Sequence, residues 1–330
     1  MKYSIVIPVY NRPEEVDELL ESLSKQTFRD FEVIIVEDGS NKPCKEICDK
    51  YADRMPVRYL MKENGGPSLA RNLGVKNAQG EWAIVLDSDC VLPETYLEEV
   101  QKGLASEDID AFGGPDKAGS GFSDVQKAIS YSMTSFFTTG GIRGGKKKLD
   151  KFYPRSFNMG IKRSVYEALN GFNPDLRFGE DIDFSLRIFE GGFKCRLIPE
   201  AWVWHKRRTD FKKFFRQVVN SGIARINLSI LHPGSLKLVH LFPACFTVSV
   251  PLLLILSIWK WWLLLPVFLY ALLVFWGATI KEKSRFVGFL AIAAAFVQLG
   301  GYGMGFLWAW WNRMVMKHHN FSAYNKTFYK

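Results

Sequence analysis

The chain has 330 residues, enough for one large domain or two ordinary ones, with a net charge of +9 and 48% hydrophobic residues. The apolar excess is confined to the part beyond about residue 235, which excludes a uniformly soluble chain. No nucleic-acid-binding motif accompanies the positive charge, so the expected partner is a lipid phosphate, a phosphorylated ligand or a membrane surface, and no nucleic acid.

In chain order, Tyr3-Ser-Ile-Val-Ile-Pro-Val9 reads as a short strand, and Asn11-Arg-Pro13 opens a helix in which proline suits the first turn. Val16, Leu19, Leu20 and Leu23 recur at helical spacing, so Pro13 to Gln26 is expected to be amphipathic. Phe31 to Val36 is the next strand, ending at Glu37-Asp38-Gly39-Ser40. A helix over Cys44 to Tyr51 and a strand over Val57 to Met61 follow. Asn64-Gly-Gly-Pro67 breaks the chain before a helix over Ser68 to Asn77. Trp82 to Leu86 is then a buried strand, and Pro93 to Ala105 a helix. This alternation predicts a parallel, doubly wound sheet.

Gly113-Gly-Pro115 and Gly140 to Lys148 read as loops, the second either a solvated basic linker or a lid attracted to phosphates. Order returns with Phe157 to Ile161, a helix over Glu180 to Glu190, and short strands over Lys194 to Ile198 and Ala201 to Trp204. Thr209 to Leu231 interleaves Phe211, Phe214 and Phe215 with Lys212, Lys213 and Arg216. That pattern suits a helix at an anionic leaflet, although a helix packed on its own domain has the same pattern.

Three apolar runs follow, 236–259, 261–280 and 286–311, each about the ~20 residues needed to cross a bilayer. Met1 leads straight into a strand-like run without a signal peptide, so the first 235 residues are expected in the cytosol. The five cysteines form no metal-ligand pattern, and Cys44 and Cys48 are expected to be reduced. Lys281-Glu-Lys-Ser-Arg285 is a positive loop consistent with the cytosolic side after two crossings. A third crossing would put Arg313, Lys317, Lys326 and Lys330 outside. Gly300-Gly-Tyr-Gly-Met-Gly305 either permits close helix packing or breaks the helix and returns the chain. Three full crossings are preferred on length.

The chemistry concentrates at strand ends, where ligands bind in open α/β sheets. Asp38 follows the second strand, and Asp87 and Asp89 end the fourth. Gly179-Glu180-Asp181-Ile-Asp183 opens a helix, and His205 follows Val203-Trp204. Hard oxygen ligands in this pattern suit Mg²⁺ or Mn²⁺ with a diphosphate, and a carboxylate suits proton abstraction from a hydroxyl. Each group also has a structural reading. Asp38 fits an Asx turn before Gly39, Arg71 a surface charge, Glu180 and Asp181 the favourable end of a helix dipole, and His205 a core histidine.

Taken together, these motifs resemble a family 2 glycosyltransferase. Tyr3 to Arg12 is similar to that family's opening strand, Val36-Glu-Asp-Gly-Ser40 to its acidic second-strand motif, and Gly66 to Gly74 to its helix motif. Ala78 through Leu86-Asp-Ser-Asp89 resembles its DxD region, and Gly171-Phe172 with Gly179 to Arg187 its acceptor-side motif. The likeness covers about residues 3–225. It implies an α/β GT-A domain, a Rossmann-like mixed sheet of the nucleotide-diphospho-sugar transferase type, followed by an α-helical membrane region.

The organisation so implied is a catalytic domain over 1–208, an amphipathic interfacial helix and linker over 209–235, a membrane region over 236–311 and a basic tail over 312–330. By the resemblance, Pro8, Tyr10 and Asp38 border the base and ribose, and Arg71 and Asp87 lie at the donor. Asp89 and His205 hold a divalent metal, Mn²⁺ or Mg²⁺. Asp181 is the catalytic base, with Glu180 on the acceptor side. Asp183, two residues on, is expected to face away from Asp181. The implied reaction is inverting, from a nucleotide-diphosphate sugar to a hydroxyl of a lipid-linked or membrane-associated glycan, at a multi-pass cell-membrane protein with its catalytic domain in the cytoplasm. A polyprenyl-phosphate sugar synthase and a non-catalytic nucleotide-binding membrane scaffold are the alternatives. The Gln-x-x-Arg-Trp motif of processive synthases is incomplete, since Arg216-Gln-Val-Val-Asn-Ser221 has only the glutamine, so transfer of one or few sugars is expected.

Overall fold

The computed structural model describes residues 1–117, 122–139, 152–206 and 210–318. These form two compact units. One holds residues 1–117 and 152–206, and the other 122–139 and 210–318. The Gly140 to Lys148 loop and most of the basic tail lie outside the described residues.

The first unit runs β1 (Tyr3–Val9), α1 (Pro13–Ser24), β2 (Phe31–Asp38), α2 (Lys45–Tyr51), β3 (Val57–Lys62), α3 (Pro67–Lys76), β4 (Trp82–Leu86), β5 (Cys90–Val91), α4 (Tyr96–Ser106), β6 (Ala111–Gly113) and β7 (Asp116–Lys117). The chain then passes through α5 (Asp124–Thr134) and α6 (Phe136–Thr139) of the second unit. It returns to the first with β8 (Asn158–Lys162), α7 (Arg163–Ala168), α8 (Glu180–Glu190), β9 (Cys195–Leu197) and β10 (Val203–His205).

Seven strands form the main sheet, in the order β3-β2-β1-β4-β8-β6-β9. Strands β3, β2, β1 and β4 are parallel, so the α/β alternation predicts that half correctly. The wholly parallel sheet does not hold. Strand β8 enters antiparallel between β4 and β6, with Ile84 opposite Gly160 and Phe112 opposite Gly160 on the other side. A Cβ on Gly160 would stand 2.0 Å from the Phe112 ring, so glycine lets that ring lie over the strand. A three-stranded sheet, β5-β10-β7, completes the unit. Strands β1, β2 and β4 are buried on both faces. One face packs on Val16, Leu19, Leu20 and Tyr96, and the other on Ala70, Val75, Phe172 and Phe184. All five cysteines are free thiols.

The second unit contains, besides α5 and α6, α9 (Phe211–Leu231), α10 (Phe242–Leu256), α11 (Leu265–Glu282) and α12 (Arg285–Trp310). Leu238–Leu256, Trp261–Glu282 and Arg285–Val315 are each long and apolar enough to cross a membrane. The glycines of α12 do not break it. Gly301 meets Val218, and a Cβ on Gly305 would stand 2.0 Å from the Val219 carbonyl. The small side chains let α9 and α12 approach backbone to backbone. In α9, Phe214, Val218, Ile223 and Ile226 are buried, while Lys212, Lys213 and Arg216 stay exposed.

Candidate active site

Local sequence brings four loops to one end of the parallel strands. After β1, Asn11 adopts a left-handed conformation (φ 53°), which asparagine tolerates better than most residues. Its backbone N–H donates to Ser40 Oγ at 2.7 Å, and its Oδ1 accepts from Asn41 N at 2.8 Å. The loops after β1 and β2 are thereby tied together, with Tyr10 on the first and Pro8 just before it, in β1. Beneath them, buried Glu37 accepts from the Cys44 N–H at 2.9 Å and from the Ser40 hydroxyl.

Asp38 forms no Asx turn with Gly39. Its carboxylate reaches across to the segment before α3, accepting from Lys62 Nζ at 2.6 Å, Gly65 N at 2.9 Å and Gly66 N at 2.8 Å. The side chain is buried and anchors this glycine turn. Gly66 itself has φ 95°, open to glycine alone at little cost.

Arg71 on α3 is buried rather than a surface charge. Its Nη2 donates to Asp87 Oδ1 at 2.9 Å and its Nη1 to Glu180 Oε1 at 3.0 Å, and the guanidinium lies over the Phe172 ring. One arginine thus joins the end of β4 to the start of α8. Burial pushes the Glu180 carboxyl up to about 7, and Asp181 adds to the rise while Arg71 opposes it.

Asp181 sits one residue into α8. Its Oδ1 accepts from the Ile182 N–H at 2.8 Å, and its Oδ2 accepts from Arg155 Nη1 at 3.1 Å. Asp183 does turn elsewhere: it is buried and pairs with Arg187 at 2.8 Å, which also holds the Gly171 carbonyl. Its role is to close the loop before α8.

Asp89 and His205 come together although 116 positions separate them. The antiparallel pairing of β5 and β10 sets His205 opposite Cys90, the neighbour of Asp89. His205 Nε2 lies 3.2 Å from Asp89 Oδ1, and its ring stacks on Phe157 with centroids 4.9 Å apart. Asp89 Oδ2 accepts from Arg12 Nη1 at 2.5 Å. Burial works against the Asp89 charge, but His205 and Arg12 together hold its carboxyl well below the usual range.

Ligand atoms of Asp89, Cys90 and His205 fall within 4.8 Å of one another. Two ligands at ~2.1 Å from one ion, a right angle apart, stand about 3 Å from each other. The Asp89–His205 spacing fits that demand, and Asp89 Oδ1 has no aligned hydrogen-bond donor among the described residues. Cys90 fits a hard ion less well, because burial raises its thiol well above the ordinary value and its Sγ points to the Phe157 carbonyl at 3.5 Å.

The candidate residues therefore form two groups, Arg12–Asp89–His205 and Asp87–Arg71–Glu180, with Asp181–Arg155 beside the second along α8. Arg12 and Arg155 were not among the expected site residues. Arg12 stands inside the opening-strand motif, where its charge is a usable signal. Nothing in the sequence around Arg155 marks it.

Comparison with known proteins gives the family and the fold. The model of glycosyl transferase family 2 matches residues 4–169. The uncharacterized glycosyltransferase EpsJ of Bacillus subtilis is 28% identical over 204 residues, covering 60% of this chain and 59% of its own. Glycosyltransferase GlyG of Streptococcus pneumoniae is 37% identical over 109 residues, covering 32% of this chain and 36% of its own. The chain thus spans about a third to three fifths of these relatives. Mannosyltransferase PcManGT from Pyrobaculum calidifontis, solved with GDP-Man and Mn²⁺, superposes with a TM-score of 0.64 at 18% identity, covering 93% of this chain and 87% of that one. This last likeness is one of fold, a GT-A-type mixed α/β sheet with a helical C-terminal region.

Proposed function

The chain belongs to glycosyl transferase family 2, and from that premise we propose a membrane-anchored, inverting glycosyltransferase that moves a sugar from a nucleoside-diphosphate sugar to a hydroxyl of a lipid-linked or other membrane-associated glycan. Transfer stops after one or few sugars. The observation that carries this reading is the Asp89–His205 pair at the end of β4, three residues beyond the last strand residue Leu86. It supplies one carboxylate oxygen and one imidazole nitrogen at metal-ligand spacing beside the loop that follows β1.

Asp89 and His205 hold a divalent cation, Mn²⁺ or Mg²⁺, whose chemistry is to offset the charge of the departing diphosphate. Pro8, Tyr10 and the turn anchored by Asp38 border the base and ribose. Asp87, steadied by Arg71, faces the ribose. Arg12 adds positive charge on the diphosphate side. Asp181 takes the proton from the acceptor hydroxyl as the oxygen attacks the anomeric carbon, and Glu180 lines the acceptor side. A carboxylate in that role contributes typically ~10²–10⁴ in rate. The nucleotide-sugar donor is supported by the fold relative solved with GDP-Man. The three apolar helices support the membrane anchorage, a domain 1–208 followed by 209–235 and spans within 236–311.

A second reading, a polyprenyl-phosphate acceptor, is favoured by Arg155 beside Asp181, because that cation suits an anionic acceptor whose oxygen needs no base. Calorimetric titration of purified protein with UDP- and GDP-sugars, with and without Mn²⁺, tests the donor and metal roles. Asp89→Ala is expected to abolish metal-dependent donor binding, and survival of that binding would place the site elsewhere.

A further inference from the structure

Between the two halves of the sheet unit, the chain runs through α5 and α6 of the helical unit. Its last charge there is Lys127, and Ala128 to Thr139 has none. Buried Ala128, Ile129, Tyr131 and Met133 share one core with Val274 and Ala278 of α11 and Val287 and Ala291 of α12. Tyr131 and Thr134 meet the charged end of α11: Lys281 Nζ donates to Thr134 Oγ1 at 3.2 Å and lies 5.8 Å from the Tyr131 ring centroid. Phe137, three residues further, meets α11 far from that end, where the Tyr270 hydroxyl donates to the Phe137 carbonyl at 3.3 Å.

Lys281 and Tyr270 are eleven positions apart on one helix, a distance of about 16 Å at 1.5 Å per residue. Lys281 and Tyr270 reach the segment through long side chains, and three residues of chain carry Phe137 up to about 10 Å past Thr134, into a hydrocarbon core of about 30 Å. The apolar surface of α11 reaches its charged end, since Ile280 is 74% and Trp276 55% exposed. Tyr270 also packs on Phe246 of α10 and Phe296 of α12, with centroids 5.6 and 6.1 Å away. All three rings lie well inside their own apolar spans.

A segment at that depth must satisfy its polar groups without water. Four hydroxyls of α5 and α6 turn back on the segment's own backbone. Thr134 donates to the Ser130 carbonyl at 2.9 Å, Thr139 to Ser135 O at 2.8 Å, Ser132 to Ile129 O at 3.0 Å, and Thr138 to Ser132 O. The Phe137 N–H donates to Ser135 Oγ at 3.3 Å. What remains exposed is apolar: Phe136 at 68% and Phe137 at 41%.

We propose that residues 128–139 are a re-entrant membrane segment that enters the bilayer from the side of Lys281 and sets Phe136 and Phe137 against lipid acyl chains below the headgroups. The proposal rests on the reading of α10–α12 as membrane spans, and its test keeps the two apart. Single cysteines replace Lys127, Phe136, Phe137 and, on the exposed face of α11, Leu273, in full-length protein carrying Cys195→Ser and Cys245→Ser. Each is nitroxide-labelled in phosphatidylcholine–phosphatidylglycerol proteoliposomes, and collision rates with oxygen and with a water-soluble nickel chelate are measured. Labels at 136, 137 and 273 are expected to favour oxygen severalfold, and the label at 127 to favour nickel. If 273 favours oxygen while 136 and 137 behave like 127, the re-entrant segment is overturned. If 273 also favours nickel, the span reading falls and the proposal with it.

Discussion

Oδ2 of Asp89 accepts a hydrogen bond from Nη1 of Arg12 at 2.5 Å, so the carboxylate proposed to hold the metal already has a fixed cation beside it. A divalent ion arriving alone meets that charge, whereas one arriving with a diphosphate brings compensating negative charge. Arg12→Gln is therefore expected to tighten Mn²⁺ binding without nucleotide by roughly tenfold, the size of one partly screened charge interaction. It is also expected to reduce the help that nucleoside diphosphate gives to metal binding, because linkage is reciprocal. Manganese titration followed by electron paramagnetic resonance reads both quantities. Unchanged affinity in the variant would show that Arg12 does not act on the metal site.

Asp181→Asn separates the two acceptor chemistries. With a hydroxyl acceptor, turnover is expected to fall ~10²–10⁴-fold with donor affinity unchanged. Undiminished turnover with donor, metal and acceptor lipid would remove the base role and favour an acceptor oxygen that is already ionised.

Glu180 gives a stability signature with a defined sign. Its carboxyl is raised to about 7 by burial, above the ordinary 4.5 that the unfolded chain restores. Between those values the folded protein binds more protons than the unfolded one, so stability falls as pH rises through the window. Glu180→Gln is expected to flatten that slope in thermal unfolding of detergent-solubilised protein. A slope of the same size in the variant would assign it to other groups.

Asp38 is expected to matter for folding as well as for donor binding. Asp38→Ala leaves Lys62 and two backbone N–H groups without their acceptor, a loss of about 3 kcal/mol by analogy with other broken buried pairs. Lys62→Met, which keeps the Gly65 and Gly66 contacts, is expected to cost less. Denaturant unfolding of the two variants in parallel decides this, and equal losses would contradict the anchoring role.

Two neighbouring glycines on α12 are expected to respond oppositely. Nothing lies within 4 Å of a Cβ built on Gly300, whereas one on Gly305 would meet the Val219 carbonyl at 2.0 Å. Gly300→Ala should change stability by no more than about 1 kcal/mol, in the favourable direction. Gly305→Ala should destabilise by roughly 2 kcal/mol through overpacking against backbone. Thermal unfolding in detergent distinguishes them, and indifference at 305 would mean that α9 and α12 are not in close contact.

Much of this architecture is legible in the sequence, for physical reasons that differ by region. Trp82 to Leu86 is a continuous apolar run and Tyr3 to Val9 is broken only by Ser4 and Pro8, a pattern that burial on both faces accounts for. The reversed strand β8 is not legible, because Asn158-Met-Gly-Ile-Lys162 has no feature that encodes direction; its partners on both sides do. The meeting of Asp89 and His205 depends on a two-residue ladder, too short to leave a periodic signal. The structural alternative for Asp38, an Asx turn, does not hold, since its partners come from residues 62–66 rather than from its own turn. The segment Ala128 to Thr139 hides for a related reason. Ser132, Thr134, Thr138 and Thr139 donate to carbonyls of the same segment, a pairing that no spacing in the sequence marks.

Arg71 leaves one last consequence. A single guanidinium serves both Asp87 and Glu180, so the two carboxylates share a fixed supply of positive charge. Any ligand that draws Asp87 away leaves more of the arginine to Glu180, and a proton gained or lost at Glu180 is felt at Asp87. On the proposed donor and acceptor roles, the two sides of the site are thereby coupled electrostatically through one side chain.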